Sequence, residues 1–345
     1  MENEIRVLVQ EAIESKVFPG SVVLVGDKKK VDLLRAYGTT MYDDPGSKKV
    51  ETEMLFDIAS ITKAFTATLT LIFLDENKLA LDDYVVKFIP EFAGQGREII
   101  TIWHLLTHSS GLKLAMSSVK DFPSSEIRDR VLADVPTTQP GSQVYYSNVN
   151  SMLLAEVMTR ISKRPFIEVM KEKIIDPLSL SNTMFNPPKS FLERIVPTEH
   201  DSWRMRLIRG EVHDESAYSM GGITGHAGLF STASDLWKFA QVWINNGLFQ
   251  GKVFLKNETV ALASSLQIQT QTGGQGLGWK IADTEWMGEV PSDTYGHTGF
   301  TGTSITICPS KNKIFVFLTN RIYPKRGDKE LINLVRRDLH ELILK

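Results

Sequence analysis

A serine and a lysine stand three residues apart at the start of an apolar segment, in residues 56–63 (FDIASITK). Because residues i and i+3 are neighbours on a helix surface, the Ser60 hydroxyl and the Lys63 amine can meet. A helix N-terminus stabilises developing negative charge, and a partly desolvated lysine can take a proton from a hydroxyl. The pair therefore suits nucleophilic catalysis by an activated serine. Alone, this spacing is not specific, because serine is a common N-cap residue.

Two further short motifs follow in the chain. Residues 146–148 read YSN and come just before a segment with helical periodicity, and residues 297–299 read HTG and enter a predicted strand. A tyrosine hydroxyl, an amide and an imidazole are groups that donate, accept or transfer protons beside a nucleophile. The three motifs together predict one composite site.

In the order S-x-x-K, Y-S-N, H-T-G, the motifs resemble the penicillin-recognising serine hydrolases, which include class C β-lactamases, D-alanyl-D-alanine carboxypeptidases and related esterases. The resemblance covers about residues 18–320 and is specific for the fold and the nucleophile rather than for the substrate. It extends to intervening segments in the family's order: NKLALDDYVVKFIPEF, ITIWHLLTHSSGL, SKRPFIEVMKEKIIDPLSL, HAGLFSTASDL and GLGW.

The resemblance implies catalytic roles for three residues. Ser60 is expected to be the acylated nucleophile, Lys63 its proton partner and Tyr146 the general base or acid beside it. Since a free tyrosine has a pKa near 10, Tyr146 needs a neighbouring cation such as Lys63 to share its proton near neutrality. Asn148 is expected to hydrogen-bond the substrate amide or Lys63.

The resemblance also implies a binding wall and an oxyanion hole. His297, Thr298 and Gly299 are expected to line the far wall of the cleft on the edge strand of the sheet. The backbone N–H groups of Ser60 and Phe300 are expected to form the oxyanion hole, in which one donor typically contributes about 3 kcal/mol.

Two positions depart from the class C β-lactamase pattern, which has Y-A-N and K-T-G. The Y-S-N and H-T-G of this chain are closer to a D-alanyl-D-alanine carboxypeptidase. Because histidine is mostly neutral at pH 7, His297 weakens the fixed charge that would hold a substrate carboxylate. We therefore expect hydrolysis of esters or D-amino-acid peptides to exceed that of penicillins. The preference should shift toward anionic substrates as the pH falls through the pKa of His297, which is near 6.5 for an unperturbed imidazole.

Metal and dinucleotide sites are the alternative interpretations of two other patterns. His104 and His108 have the i, i+4 spacing of a zinc-binding helix, but Leu105 replaces the glutamate of H-E-x-x-H. The glycines of residues 273–278 lack the βαβ context of a dinucleotide fingerprint and favour a tight turn. His226, in GGITGHAGLF, is interpreted as fixing a glycine-rich turn. We expect no metal and no cofactor.

The composition excludes several classes of protein. The 345 residues carry 39 basic and 41 acidic side chains, a balance that argues against a nucleic-acid-binding surface. The hydrophobic fraction of 42% predicts a sizeable core. A single cysteine forms no intrachain disulfide. No apolar run approaches the length of a membrane span, and the N-terminus lacks a signal-peptide pattern. A cytoplasmic location is therefore expected, or an extracytoplasmic one if a native leader has been removed.

The periodicity of the chain predicts an α/β fold. Residues 1–75 and 225–345 are predicted to form a sheet subdomain, an antiparallel sheet built from both chain ends and flanked by the two terminal helices. Residues 76–224 are predicted to form a mostly helical inserted subdomain. The active site is expected in the cleft between the two.

Two functional hypotheses follow from these motifs. The first is a serine hydrolase that forms an acyl-enzyme on an ester, amide or β-lactam carbonyl of a small-molecule or short-peptide substrate. The second is a non-catalytic penicillin-binding-type sensor that uses the same cleft to capture a peptide or β-lactam. The presence of Ser60, Lys63, Tyr146 and Asn148 together favours the enzyme, because a binder has no need to keep all four.

Overall fold

The computed structural model describes all of residues 1–345. It contains eleven α-helices and fifteen strands, joined by loops and short 3-10 or π turns. The helices are α1 Glu2–Glu14, α2 Thr62–Asp75, α3 Ile102–Leu106, α4 Ser124–Ala133, α5 Asn148–Ser162, α6 Phe166–Met170, α7 Glu215–Ser219, α8 Ala233–Ile244, α9 Asn257–Ala263, α10 Thr284–Met287 and α11 Lys329–Leu344. The strands are β1 Gly20–Gly26, β2 Val31–Gly38, β3 Phe56–Asp57, β4 Met184–Phe185, β5 His200–Asp201, β6 Arg206–Leu207, β7 Leu229–Ser231, β8 Leu248–Phe249, β9 Lys252–Val253, β10 Ile268–Gln269, β11 Gly274–Gln275, β12 Lys280–Ile281, β13 Tyr295–Thr298, β14 Ser304–Cys308 and β15 Lys313–Thr319.

The main sheet joins the two ends of the chain. Its eight antiparallel strands lie in the order β10-β11-β12-β13-β14-β15-β1-β2, so that β1 pairs with β15 from Ser21 opposite Thr319 to Gly26 opposite Ile314. This arrangement confirms the predicted fold class, an antiparallel sheet drawn from both ends.

Both faces of the sheet are covered at its centre, which explains why β1 and β15 are almost continuously apolar. Along β1, Val22 and Leu24 belong to a large core that includes α2 and α8. The alternate residues Val23 and Val25 pack on the other face against α1 and α11. The terminal helices therefore flank the sheet as predicted. A second, three-stranded sheet (β3-β7-β4) joins the Ser60 segment to the middle of the chain.

Helix α2 is buried on almost every side. The sequence predicts one apolar stripe through Ile61, Phe65 and Leu69, but the structure also buries the threonines between them. The Phe65 ring stacks on Phe239 of α8 at a centroid distance of 4.0 Å. A helix enclosed in this way places its N-terminal Lys63 out of water.

The middle of the chain is mainly helical, and residues 76–224 contain only the short strands β4, β5 and β6. The division into subdomains at 75/76 and 224/225 remains a prediction. No helix in the structure combines the length and apolar character that crossing a membrane requires.

Candidate active site

Ser60 lies on a single 3-10 turn, Ala59–Ile61, that leads into α2. Ala59, immediately before it, has a φ of 45°, in the left-handed region that alanine rarely adopts. The Ala59 N–H donates to Asp57 Oδ1 at 2.8 Å, which helps to hold this conformation. Backbone strain of about 1 kcal/mol or more next to a candidate nucleophile is typical of functional turns.

Lys63 faces Ser60 across one helical turn, as the spacing predicts. Its Nζ atom lies 2.9 Å from Ser60 Oγ and donates to the His226 carbonyl at 3.1 Å. Burial lowers the pKa of the Lys63 ammonium to about 7, although the negative charge of Asp214 opposes this shift. Near neutral pH the lysine is therefore about half amine, the form that can accept the Ser60 proton.

Tyr146 covers this pair. Its ring centroid is 4.9 Å from Lys63 Nζ, and its pKa is raised by desolvation while the adjacent Ser60 hydroxyl lowers it. The net upward shift corrects the expectation that Lys63 brings the titration of Tyr146 toward neutrality, so the phenol keeps its proton. The preceding Tyr145 is exposed to a similar degree, 43% against 40% for Tyr146, but it does not line the cavity at Ser60, and Lys113 Nζ lies 4.6 Å from its ring centroid.

The three residues of the H-T-G motif line a cavity of about 350 Å³. Ser60 and Tyr146 line the same cavity. The prediction that the strand of the motif is the sheet edge is wrong, since β10, β11 and β12 lie beyond β13. However, β12 pairs only with Tyr295 and Gly296. His297 and Thr298 therefore extend past their neighbour and stay open to the cleft.

Gly299 allows the end of β13 to approach the Ser60 segment. A Cβ atom on Gly299 would lie 2.5 Å from the Ile58 carbonyl oxygen, closer than any real contact. Thr301 and Thr303 then donate to the Asp57 and Ile58 carbonyls at 2.7 and 3.2 Å. The Phe300 N–H, the second predicted oxyanion donor, has no hydrogen-bond partner in the protein.

His297 is a neutral imidazole. Burial, and then the charge of Lys63, lower its pKa to about 3, and its Nδ1–H donates to the Thr298 carbonyl at 2.9 Å. The expectation of a pKa near 6.5 is therefore wrong, because that value belongs to a solvated imidazole. His297 supplies no positive charge to the site at any pH near neutrality.

Other residues supply the cations that His297 does not. Lys280, Arg321, Lys329 and Arg336 line the same cavity, against one carboxylate, Glu285. The cavity therefore carries positive charge that the H-T-G motif does not supply. These four come from β12, the segment after β15, and α11, so that no local motif reveals them.

Asn148 is the first residue of α5, and its side chain makes no hydrogen bond within the protein. The expected bond to Lys63 is absent, since Lys63 bonds to Ser60 and His226 instead. Asn148 is not among the residues that line the cavity at Ser60, and its predicted contact with a substrate amide remains a prediction.

The two histidines of the H-x-x-x-H pattern have structural partners. His104 Nδ1 accepts from the Thr101 N–H at 3.0 Å in a capping box. His108 Nδ1 lies 3.1 Å from Asn150 Nδ2, and the His108 ring packs 4.7 Å from that of Tyr146. His108 therefore supports the position of Tyr146, a role that the sequence did not suggest.

Asp214 and His226 lie behind Lys63, and the sequence assigned neither to the site. Asp214 Oδ1 is 3.2 Å from His226 Nε2, and it accepts from Ser216 Oγ at 2.6 Å and from the Ala217 N–H at 2.9 Å. The ring of His226 thus contacts Asp214 while its carbonyl accepts from Lys63. Burial raises the pKa of the Asp214 carboxyl, but the interaction with His226 and the hydrogen bonds from Ser216 and Ala217 lower it by more. The pKa of Asp214 therefore lies below its usual range.

We expect Asp214→Asn to move the acid limb of the kcat/KM profile to lower pH. The Asp214 charge favours the ammonium form of Lys63, so removing it lowers the pKa of Lys63 and yields amine at lower pH. Asparagine keeps the helix cap. The measurement is kcat/KM from pH 5 to 9, with the exposed Asp129→Asn as control; a shift to higher pH, or the same shift in the control, contradicts the prediction.

Comparisons with known proteins identify the family of the chain. The family model described as Beta-lactamase matches residues 5–338. An Escherichia coli K12 protein named as a D-alanyl-D-alanine carboxypeptidase is 32% identical over 88% of this chain and 76% of its own. A Bacillus subtilis strain 168 protein named N-acetylmuramyl-L-alanine amidase is 31% identical over 93% of this chain and 82% of its own. A solved class C beta-lactamase superposes with a TM-score of 0.80 at 19% identity, and the match covers 99% of this chain and 97% of that one. The chain therefore belongs to the beta-lactamase family of serine hydrolases.

Proposed function

We propose that this hydrolase forms an acyl-enzyme on Ser60 and cleaves peptides that end in D-alanine or a similar residue with a free carboxylate. The observation that carries the proposal is the Ser60–Lys63 pair, 2.9 Å apart, beside a cavity that Ser60 lines together with four cationic side chains. The pair supplies a nucleophile, and the cations supply a partner for the carboxylate.

Acylation begins with the amine form of Lys63. As Ser60 Oγ bonds to the substrate carbonyl carbon, its proton passes to Lys63 Nζ. The carbonyl oxygen becomes an oxyanion that accepts hydrogen bonds from the N–H groups of Ser60 and Phe300. A lysine with a pKa of about 7 is matched to this transfer at neutral pH.

Breakdown of the tetrahedral intermediate requires an acid. The bond from the carbonyl carbon to the leaving nitrogen breaks, and the nitrogen takes the proton of the Tyr146 hydroxyl, which Lys63 restores from its ammonium. The raised pKa of Tyr146 keeps the phenol protonated for this step. Water then attacks the acyl-enzyme by the same route in reverse, releasing the acid and Ser60.

The cationic side chains that line the cavity favour a substrate whose leaving group carries a carboxylate. Lys280 is paired with Asp283 at 2.5 Å, and Lys329 with Glu285 at 2.5 Å.

Neither Arg321 nor Arg336 is in an ion pair. The Arg321 guanidinium donates only to the Gly327 carbonyl. That of Arg336 donates to Asn333 Oδ1 and the Thr303 carbonyl, and all of these acceptors are neutral. Their positive charges are therefore left for a substrate anion in the cavity that both arginines line. The names of the E. coli and B. subtilis relatives fit an amide of cell-wall type.

An esterase of the same mechanism is the second candidate, because the Ser60–Lys63 pair acts equally on an ester carbonyl. Penicillin hydrolysis is expected to be weaker, because the K-T-G lysine position holds the neutral His297. Arg321 and Arg336 stand elsewhere in the cavity, where they suit the carboxylate of a flexible peptide better than the fixed carboxylate of a fused β-lactam. A sensor without turnover would release at most one leaving group per molecule from p-nitrophenyl butyrate, whereas the enzyme releases many.

A matched pair of substrates tests the proposal. We expect an N-acylated D-alanyl-D-alanine peptide to exceed its C-terminal amide in kcat/KM by about tenfold, since one charged hydrogen bond contributes about 1.5 kcal/mol. Because His297 stays neutral, the ratio should stay constant from pH 5.5 to 8 while both rates rise with the titration of Lys63. Equal rates for the two peptides, or faster turnover of nitrocefin than of both, would contradict the proposal.

A further inference from the structure

A second cavity, of about 650 Å³, opens directly from the cavity at Ser60. The two share Tyr146, Lys280 and Glu285 in their walls, so a ligand can occupy both at once. We call the second cavity the amide pocket. Its walls come from the loop before Tyr146 and from the β10, β11 and β12 region.

The lining of the amide pocket is polar but almost uncharged. It consists mainly of hydroxyl and carboxamide side chains, and its only ionic residues are Lys280 and Glu285 at the junction. Both are already paired, with Asp283 and Lys329 respectively. The pocket therefore suits a neutral ligand rich in hydrogen-bonding groups. The carboxamides are Gln143, Gln269, Gln271 and Gln275.

Gln275 on β11 is a fixed acceptor in this pocket. The residue is only 4% exposed, and its Nε2 donates to the carbonyls of Gly276 and Trp279 at 3.1 and 3.0 Å. Rotating the amide by 180° would set its oxygen against those two carbonyls, so this orientation is determined. Both donors are used, and Oε1 has no partner in the protein.

Gln143 and Gln271 complement this acceptor. Neither side chain makes a hydrogen bond within the protein, and both are exposed on the pocket wall. Each carboxamide offers a donor and an acceptor, the same two functions that a peptide group carries. Although the Gln275 residue is buried, its unpartnered Oε1 is not among the buried atoms, so a ligand N–H can reach it.

We propose that the amide pocket is an extended subsite that binds a neutral peptide segment of the substrate through its backbone amides, with Gln275 Oε1 accepting one substrate N–H. This inference rests on the proposed function and deepens it: the preferred substrate is a peptide several residues long that reaches from the cationic cavity into the amide pocket. A dipeptide fills the first cavity alone.

The test compares two acylated peptides ending in D-alanyl-D-alanine, a dipeptide and a pentapeptide with uncharged additional residues. Wild type should favour the pentapeptide in kcat/KM by tenfold or more. Gln275→Met and Gln271→Ala should each reduce this pentapeptide-to-dipeptide ratio about three- to tenfold, the value of one neutral hydrogen bond. The exposed Gln10→Ala on α1 is the matched control.

Gln271→Ala removes no hydrogen bond of the fold, so it keeps the test valid if Gln275→Met folds poorly. A wild-type ratio near one, or a ratio that is unchanged in Gln271→Ala and in a folded Gln275→Met, overturns the subsite.

A competition arm separates the subsite from the proposed reaction. If wild type cleaves neither peptide, the proposed function fails. The subsite still stands if the pentapeptide inhibits p-nitrophenyl acetate hydrolysis at least tenfold more tightly than the dipeptide does, with the difference reduced in Gln271→Ala. It falls if the two peptides inhibit equally.

Discussion

Ser60→Ala should reduce turnover of every ester and peptide substrate by about 10⁴-fold or more, because the substitution removes the atom that bonds to the carbonyl carbon. Lys63 loses one partner but keeps the His226 carbonyl at 3.1 Å. Since its pKa is about 7, it can lose its proton instead of leaving a charge buried. The fold should therefore survive.

Steady-state assays, a thermal melt and mass spectrometry of the acylated protein check this prediction together. A slowly hydrolysed acyl donor should add one acyl group, and peptide mapping should place it on Ser60. Multiple turnover by Ser60→Ala above about 1% of wild type, in a sample free of wild-type enzyme, would be incompatible with the assignment. So would an adduct on any other residue.

Tyr146→Phe should lower kcat by about 10²- to 10⁴-fold, whereas Tyr145→Phe should change it by less than twofold. The Tyr146 hydroxyl is the proposed proton donor, and a positioned acid or base contributes that much. Tyr145 does not line the cavity at Ser60, and Lys113 lies over its ring. Both variants keep their rings, so the contact of Tyr146 with His108 is retained.

The comparison needs kcat and KM for both variants with one ester and one D-alanyl peptide. Peptide turnover should fall more than that of a p-nitrophenyl ester, because nitrophenolate leaves without an acid. Equal losses in the two variants would mean that the YSN motif is aligned one residue wrong. If Tyr146→Phe kept full peptidase activity, Lys63 rather than Tyr146 would have to be the acid.

The sequence predicted the contacts that arise from local spacing. Ser60 and Lys63 meet because they lie one helical turn apart, and the pairing of β1 with β2 follows from two apolar runs around a charged turn. The order of the three motifs placed Tyr146 and His297 in one site, and the structure brings their rings within 6.0 Å.

Features that depend on distant segments were missed. The low pKa of His297 results from burial between elements that are far apart in sequence, which a motif cannot express. Arg321 and Arg336 enter the cavity from two separate segments, and each looks like an ordinary surface charge in its own segment. His226 contributes a carbonyl, so its side-chain type gave no signal.

The joining of the two chain ends in one sheet has a consequence for synthesis. Roughly 290 residues separate the end of β1 from the start of β15, its hydrogen-bonded neighbour. At translation rates of about 5–20 residues per second, β1 emerges from the ribosome roughly 15 to 60 s before its partner exists. During that interval the apolar run SVVLVG can pair with β2 along one edge, but its other edge has no partner strand. Folding of this enzyme is therefore completed only after nearly the whole chain has been made, and exposure of that run to holdase chaperones is built into its topology.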